Sequence, residues 1–117
     1  MKKPPLHKSF WNAFRGIFFM MKSERNFQIE LLAFLINLFL IFYLKLTTTD
    51  TTLILIVCLG VLAAEIFNTA IEKICDFIQP EFDKSIGFIK DISAGAVLLM
   101  TIVSIIAGVL IYWKYLL

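Results

Sequence analysis

Two stretches of this chain are almost free of charge, and they limit what it can fold into more than any motif does. Residues 31–64 carry only Lys45 and Asp50, and residues 92–117 carry only Lys114. The other charges crowd into 1–30 (eight) and 65–91 (nine). A soluble domain of 117 residues spreads its charges over its surface, and a disordered chain lacks the apolar content seen here, which is 60% hydrophobic residues. The pattern therefore predicts a small all-α integral membrane protein, a single embedded domain over 1–117 with two polar zones. The net charge of +2, with no basic run, argues against a nucleic-acid partner. Cys58 and Cys75 lie 17 apart in apolar or helical surroundings and read as small apolar residues. No compact apolar stretch with a small-residue cleavage site follows Met1-Lys2-Lys3, so no secretory signal is read.

Along the chain, Pro4-Pro5 keeps the basic start out of helix, and Ser9 is placed to cap a helix over Phe10–Met21. Phe10, Ala13, Phe14, Ile17 and Met21 fall at helical spacing, with Asn12, Arg15 and Lys22 on the polar side. A basic, aromatic-rich amphipathic helix suits a membrane surface; the alternative is a helix packed on a core, of which this chain has little. The tail and this helix occupy 1–25. Transmembrane helices are expected over 27–46, 53–78 and 90–113, since about 20 apolar helical residues cross a bilayer core. Thr47–Thr52 reads as a tight polar turn, and Gln79–Lys84 as a break around Pro80. The third span, Ile92–Trp113, ends in the aromatic belt Tyr112-Trp113-Lys114-Tyr115. Lys and Arg gather before the first span and in the 79–91 loop, which places both on the cytoplasmic side of the cell's inner (plasma) membrane.

The second span continues as a polar stripe. Glu65, Asn68, Glu72 and Asp76 are spaced 3, 4 and 4, which keeps the three carboxylates within about 20° of one line. A carboxylate in a span costs at least about 2.5 kcal/mol on insertion scales, so such residues are usually buried and functional. The bland reading is a helix that has left the bilayer with one solvated face. Glu24 and Glu30 flank the first span, and Lys90-Asp91 opens the third, where Asp91 suits a helix N-terminus and Lys90 is an ion-pair partner or a phosphate ligand. There is no GxxxxGK[ST] loop, dinucleotide fingerprint or HxD loop, and the one histidine, His7, sits in the tail. Carboxylates and lysines at one membrane face remain. Carboxylate oxygens suit Mg²⁺, which takes one or two of them plus substrate phosphates, and a further carboxylate can receive a hydroxyl proton. That is the inventory of phosphoryl transfer.

These residues resemble a known family. Glu65-Ile66-Phe67-Asn68-Thr69-Ala70-Ile71-Glu72, with Asp76 four on, is similar to the E-x-x-N-[ST]-A-I-E-x-x-x-D signature of the small prokaryotic diacylglycerol kinases. Lys90-Asp91-Ile92-Ser93-Ala94-Gly95-Ala96-Val97-Leu98 resembles that family's K-D-x-x-[AS]-[AG]-A-V-L segment. Arg15-Gly16-Ile17 and Glu24-Arg25-Asn26-Phe27-Gln28 resemble the branch acting on undecaprenol. The likeness runs over about residues 8–110 in one gapless register. It implies a homotrimer with sites shared between chains, using ATP and Mg²⁺ to phosphorylate a lipid alcohol, undecaprenol or diacylglycerol, where membrane meets cytoplasm. Position by position it implies Glu65 as general base, also touching substrate, and Glu24 and Glu72 as Mg²⁺ ligands. Asn68, Lys90, Asp91, Asn12, Glu81 and Asp83 would contact the nucleotide, and Ala94 and Arg15 the lipid. Where other members place an arginine and a tyrosine near the nucleotide, this chain has Pro5 and Asn12, with Lys8 and Arg15 the nearby bases. Two other classes compete: an oligomer conducting ions or protons through the intramembrane carboxylates, which leaves Glu24 and Lys90 without a role, and an inactive scaffold of the same fold, which the intact Glu24, Glu65, Glu72 and Lys90 oppose.

Overall fold

The computed structural model describes residues 2–117, and among them it contains four helices and no strand. Helix α1 covers Leu6–Ser23, α2 Arg25–Leu44, α3 Thr48–Ile78 and α4 Lys84–Leu116. The last three are long and apolar enough to cross a membrane. At about 1.5 Å per residue, α3 and α4 reach roughly 46 and 50 Å, well beyond a hydrocarbon core of about 30 Å. Both helices are thus longer than a single crossing needs. Large side chains such as Phe39, Phe42, Leu98 and Leu110 are exposed along the spans, as lipid-facing residues are.

Several boundaries differ from the sequence expectation, each for a local reason. α1 starts at Leu6 rather than after Ser9, so His7 and Lys8 are helical. The Pro5 carbonyl accepts from Lys8 N and Ser9 N at 3.0 Å each, and Pro5 sits where its missing N–H costs nothing. The expected turn Thr47–Thr52 is largely the first turn of α3. Thr47 Oγ1 accepts from Asp50 N at 3.2 Å, and Asp50 is favoured by the helix N-terminus. The reversal is shorter than expected because Lys45 adopts a left-handed conformation (φ 54°) and closes α2 in one step. At the other end Asp83 Oδ1 caps α4, accepting from Ser85 N at 2.9 Å and Ile86 N at 3.1 Å, so α4 begins six residues before Lys90.

α3 packs most extensively on α4, less on α2, and α1 leans on α2. Gly60 lies in the α3–α4 seam, where a methyl would meet the flexible end of Met100 and require that side chain to shift. Two small cores hold the helices. Met20, Phe27 and Leu62 close one end; Ile41, Ile54 and Ile111 close the other. The first core fixes the bend between α1 and α2 directly over the polar stripe.

Candidate active site

The α1–α2 bend is a single extended residue, Glu24 (φ −107°, ψ 113°). Its N–H donates to Met20 O at 3.1 Å, and its carbonyl accepts from Gln28 N at 3.0 Å. Gln28 reaches back, its Nε2 donating to Met21 O (3.0 Å) and Lys22 O (3.2 Å), which satisfies the last carbonyls of α1. The bend is thus built from backbone hydrogen bonds, and it sets the half-buried Glu24 at the mouth of the helix pair.

Facing it on α3 is Glu65, only 4% exposed. Its carboxyl feels the charges of Glu72 and Glu24, and the amides of Asn68 and Asn26 face it. Glu30, half-buried on α2, feels Glu65 in turn. One turn along α3, Asn68 (7% exposed) donates from Nδ2 to Glu72 Oε1 at 3.1 Å, leaving its buried Oδ1 without a partner. Four carboxylates and two amides therefore share one corner. Among the described residues no lysine or arginine lies within ion-pairing distance of any of the four. Charged carboxylates out of water need a counter-charge, and among the described residues none is in direct contact with these four.

That deficit is the test of whether a divalent cation fits. Hard oxygen donors with no internal cation suit Mg²⁺. Among the described residues no three His, Cys, Asp or Glu side chains form a ready metal cage. Mg²⁺ does not demand one, since it keeps waters and completes its shell with phosphate oxygens. The residues present fit the ion.

Lys90 lies at the same end of the hairpin. Its Nζ donates to Asp76 Oδ1 at 2.6 Å, and its charge is felt from Glu72. The remaining candidates are not brought to this corner within one chain. Asp91 lines a shallow pocket with Phe82, Lys84 and Phe88, and Asp83 is spent as the cap of α4. Glu81 is exposed in the loop, Ala94 is exposed on α4, Asn12 is exposed on α1, and Arg15 lines an apolar groove beside Trp11 and Phe18. Two neighbours of Glu65 had no assigned role in the sequence reading, Asn26 and Glu30. The signal for them was present: Asn26, Glu30, Ala33 and Asn37 recur at 4, 3 and 4 along one face of α2.

Helix length and exposed apolar surface mark a protein with three helices able to cross a membrane, and one acidic corner lies where α2 meets α3. Residues 11–112 match the family described as prokaryotic diacylglycerol kinase. The chain belongs to this family, and with it to the lipid kinases. It is 35% identical over 105 residues to the undecaprenol kinase of Bacillus subtilis (strain 168), covering 90% of this chain and 85% of that one. It is 29% identical over 93 residues to the diacylglycerol kinase of Escherichia coli (strain K12), covering 80% and 76%. It is 28% identical over 106 residues to the diacylglycerol kinase of Synechocystis sp., covering 90% and 61%.

Proposed function

We propose that this chain moves the terminal phosphoryl group of ATP, with Mg²⁺, onto the hydroxyl of a membrane lipid alcohol at the cytoplasmic face of the plasma membrane. The observation that carries the reading is the buried Glu65, set among carboxylates just past the middle of a helix able to cross a membrane, with no lysine or arginine of the described residues within ion-pairing distance. Glu65 takes the proton of the lipid hydroxyl as that oxygen bonds to the γ-phosphorus. The bond from that phosphorus to the β–γ bridging oxygen breaks, and ADP leaves. Glu24 and Glu72 would hold Mg²⁺, which supplies neutralising charge to the phosphates. Asn68 holds Glu72 through its amide. Lys90, held by Asp76, is the cation offered to the nucleotide, with Asp91, Asn12, Glu81 and Asp83 as further contacts and Arg15 and Ala94 toward the lipid. Those outlying residues reach a common site in a homotrimer, where a neighbouring chain supplies what one chain keeps apart. The basic residues before α2 support a cytoplasmic N-terminus, with α1 on the membrane surface.

The relatives support two lipids, and the higher identity to the Bacillus subtilis enzyme favours undecaprenol over diacylglycerol. Purified protein in micelles, given labelled Mg-ATP and each lipid separately, should transfer phosphate to one or both. An intact helical protein that labels neither lipid refutes the proposal.

A further inference from the structure

Glu24 stands where a side chain is ordinarily consumed by the fold. It ends α1 and starts α2, so the last carbonyls of one helix and the first amides of the next both lack helical partners beside it. A side-chain oxygen at a helix start commonly accepts from those amides. Thr47 does so at α3 and Asp83 at α4. Glu24 makes no such bond. The bend is held from two other sides instead. On the buried side Met20 and Phe27, 4% and 2% exposed, pack with Leu62 of α3. On the exposed side the Gln28 amide, one turn into α2, donates to Met21 O at 3.0 Å and to Lys22 O at 3.2 Å. An amide nitrogen carries two hydrogens, so each carbonyl takes one and the donor is fully used. These bonds reach back seven and six residues across the bend, and they fix its angle rather than extend either helix.

Capping and metal binding compete for the same two carboxylate oxygens. We propose that Gln28 is a positioning residue for divalent-cation binding: by clasping α2 to the end of α1 it keeps the Glu24 carboxylate out of helix capping and beside Glu65. Without the clasp, the Met21 and Lys22 carbonyls turn to water, and the fold stands on the Met20–Phe27–Leu62 contact. The Glu24 backbone then gains freedom. Its carboxylate can swing to the unpaired amides at the start of α2, where the helix N-terminus attracts negative charge. Every such excursion removes a ligand from the acidic corner. This assignment rests on the proposed role of Glu24 as a Mg²⁺ ligand and deepens it by naming what holds that ligand in place.

Two variants remove the donors, Gln28→Met without a charge and Gln28→Glu with a new negative one. The second separates positioning from simple electrostatics by sign. A further carboxylate near the corner attracts a cation, whereas loss of the clasp weakens its site. Mn²⁺ alone, added to the purified full chain in micelles and followed by electron paramagnetic resonance, serves as the probe. Both variants should raise the Mn²⁺ Kd severalfold, with the thermal midpoint close to the parent's. Amide exchange read by mass spectrometry should quicken severalfold over residues 20–28 and stay unchanged along α3. Parent-like Mn²⁺ affinity in both folded variants overturns the proposal, and so does tighter binding by Gln28→Glu. Unchanged exchange across the bend overturns it as well, because the clasp then holds nothing. A parent that takes up no Mn²⁺ removes the ligand role of Glu24 and the proposal with it. None of these readings needs phosphate transfer. A protein that phosphorylates no lipid yet loses Mn²⁺ with the clasp keeps the role of Gln28 and removes the activity.

Discussion

α3 buries two acidic residues, one in its first turn and one just past its middle, and they are partnered in opposite ways. Asp50, 7% exposed, is surrounded by donors: Tyr115 O–H at 2.7 Å, and Lys114 Nζ at 3.0 and 3.2 Å to its two oxygens. Thr47 N donates to the same Tyr115 oxygen at 3.0 Å, which ties the start of α3 to the end of α4. Glu65, 4% exposed, meets other carboxylates and two amides. Both carry the cost of leaving water, but only Asp50 has its compensation built into the chain. A carboxylate matched by its own fold serves the fold. One left unmatched is available to a proton, a metal or a substrate, and we place the proposed chemistry at Glu65.

The sharpest way to break this contrast is Glu65→Gln, which keeps the shape and removes the proposed base. Phosphate transfer should drop by about a hundred- to ten-thousandfold, with nucleotide binding and helix content retained. Full turnover in the variant would show Glu65 to be as structural as Asp50. Next in size is Asn68→Ala, which frees Glu72 without touching a carboxylate. Loss of such an outer partner typically weakens metal affinity about ten- to a hundredfold. Titrating activity with Mg²⁺ at saturating ATP should therefore show a higher half-saturating concentration and recovery at high Mg²⁺. A variant that responds to Mg²⁺ as the parent does separates Asn68 from the metal.

How legible the two ends were in the sequence differs for a physical reason. The spans and the 65–76 stripe are local patterns, an absence of charge and a helical spacing, and both survive folding. So does the acidic corner in outline, because Glu65, Asn68 and Glu72 share one helix. Glu30 and Asn26 come from another helix, and only the Glu24 bend brings them against Glu65. The Asp50 clamp was invisible. Its partners lie 64 and 65 residues away, and Asp50 among threonines looks like any turn residue. Helix starts were misplaced where one side chain decided them, as Thr47 and Asp83 do, because a cap is visible only once the following N–H groups are known to need it.

A smaller effect is expected at Asp76, the partner that holds Lys90. Both side chains are partly exposed, so the pair adds little to stability, and the use proposed for it is to aim the lysine. Asp76→Asn should raise KM for ATP severalfold with kcat and thermal midpoint nearly unchanged. Rescue by Asp76→Glu distinguishes aiming from a general loss of fold.

The smallest effect on chemistry should come from the largest disturbance at the other end. Asp50→Asn removes the charge that holds Lys114 while leaving a side chain that can still accept from Tyr115. The thermal midpoint in micelles should fall, because a part-buried network loses its charge pair while α3 and α4 are still joined along the Gly60 seam. Tyr115→Phe should act in the same direction, and the double variant should lose less than the sum of the two, since both residues serve one network. Turnover per folded molecule should match the parent in all three. If Asp50→Asn lowers kcat at full folding, then the Asp50 and Glu65 regions of α3 are coupled through the α3–α4 seam, and the division between a structural and a proposed chemical carboxylate fails at the point where it is most clearly drawn.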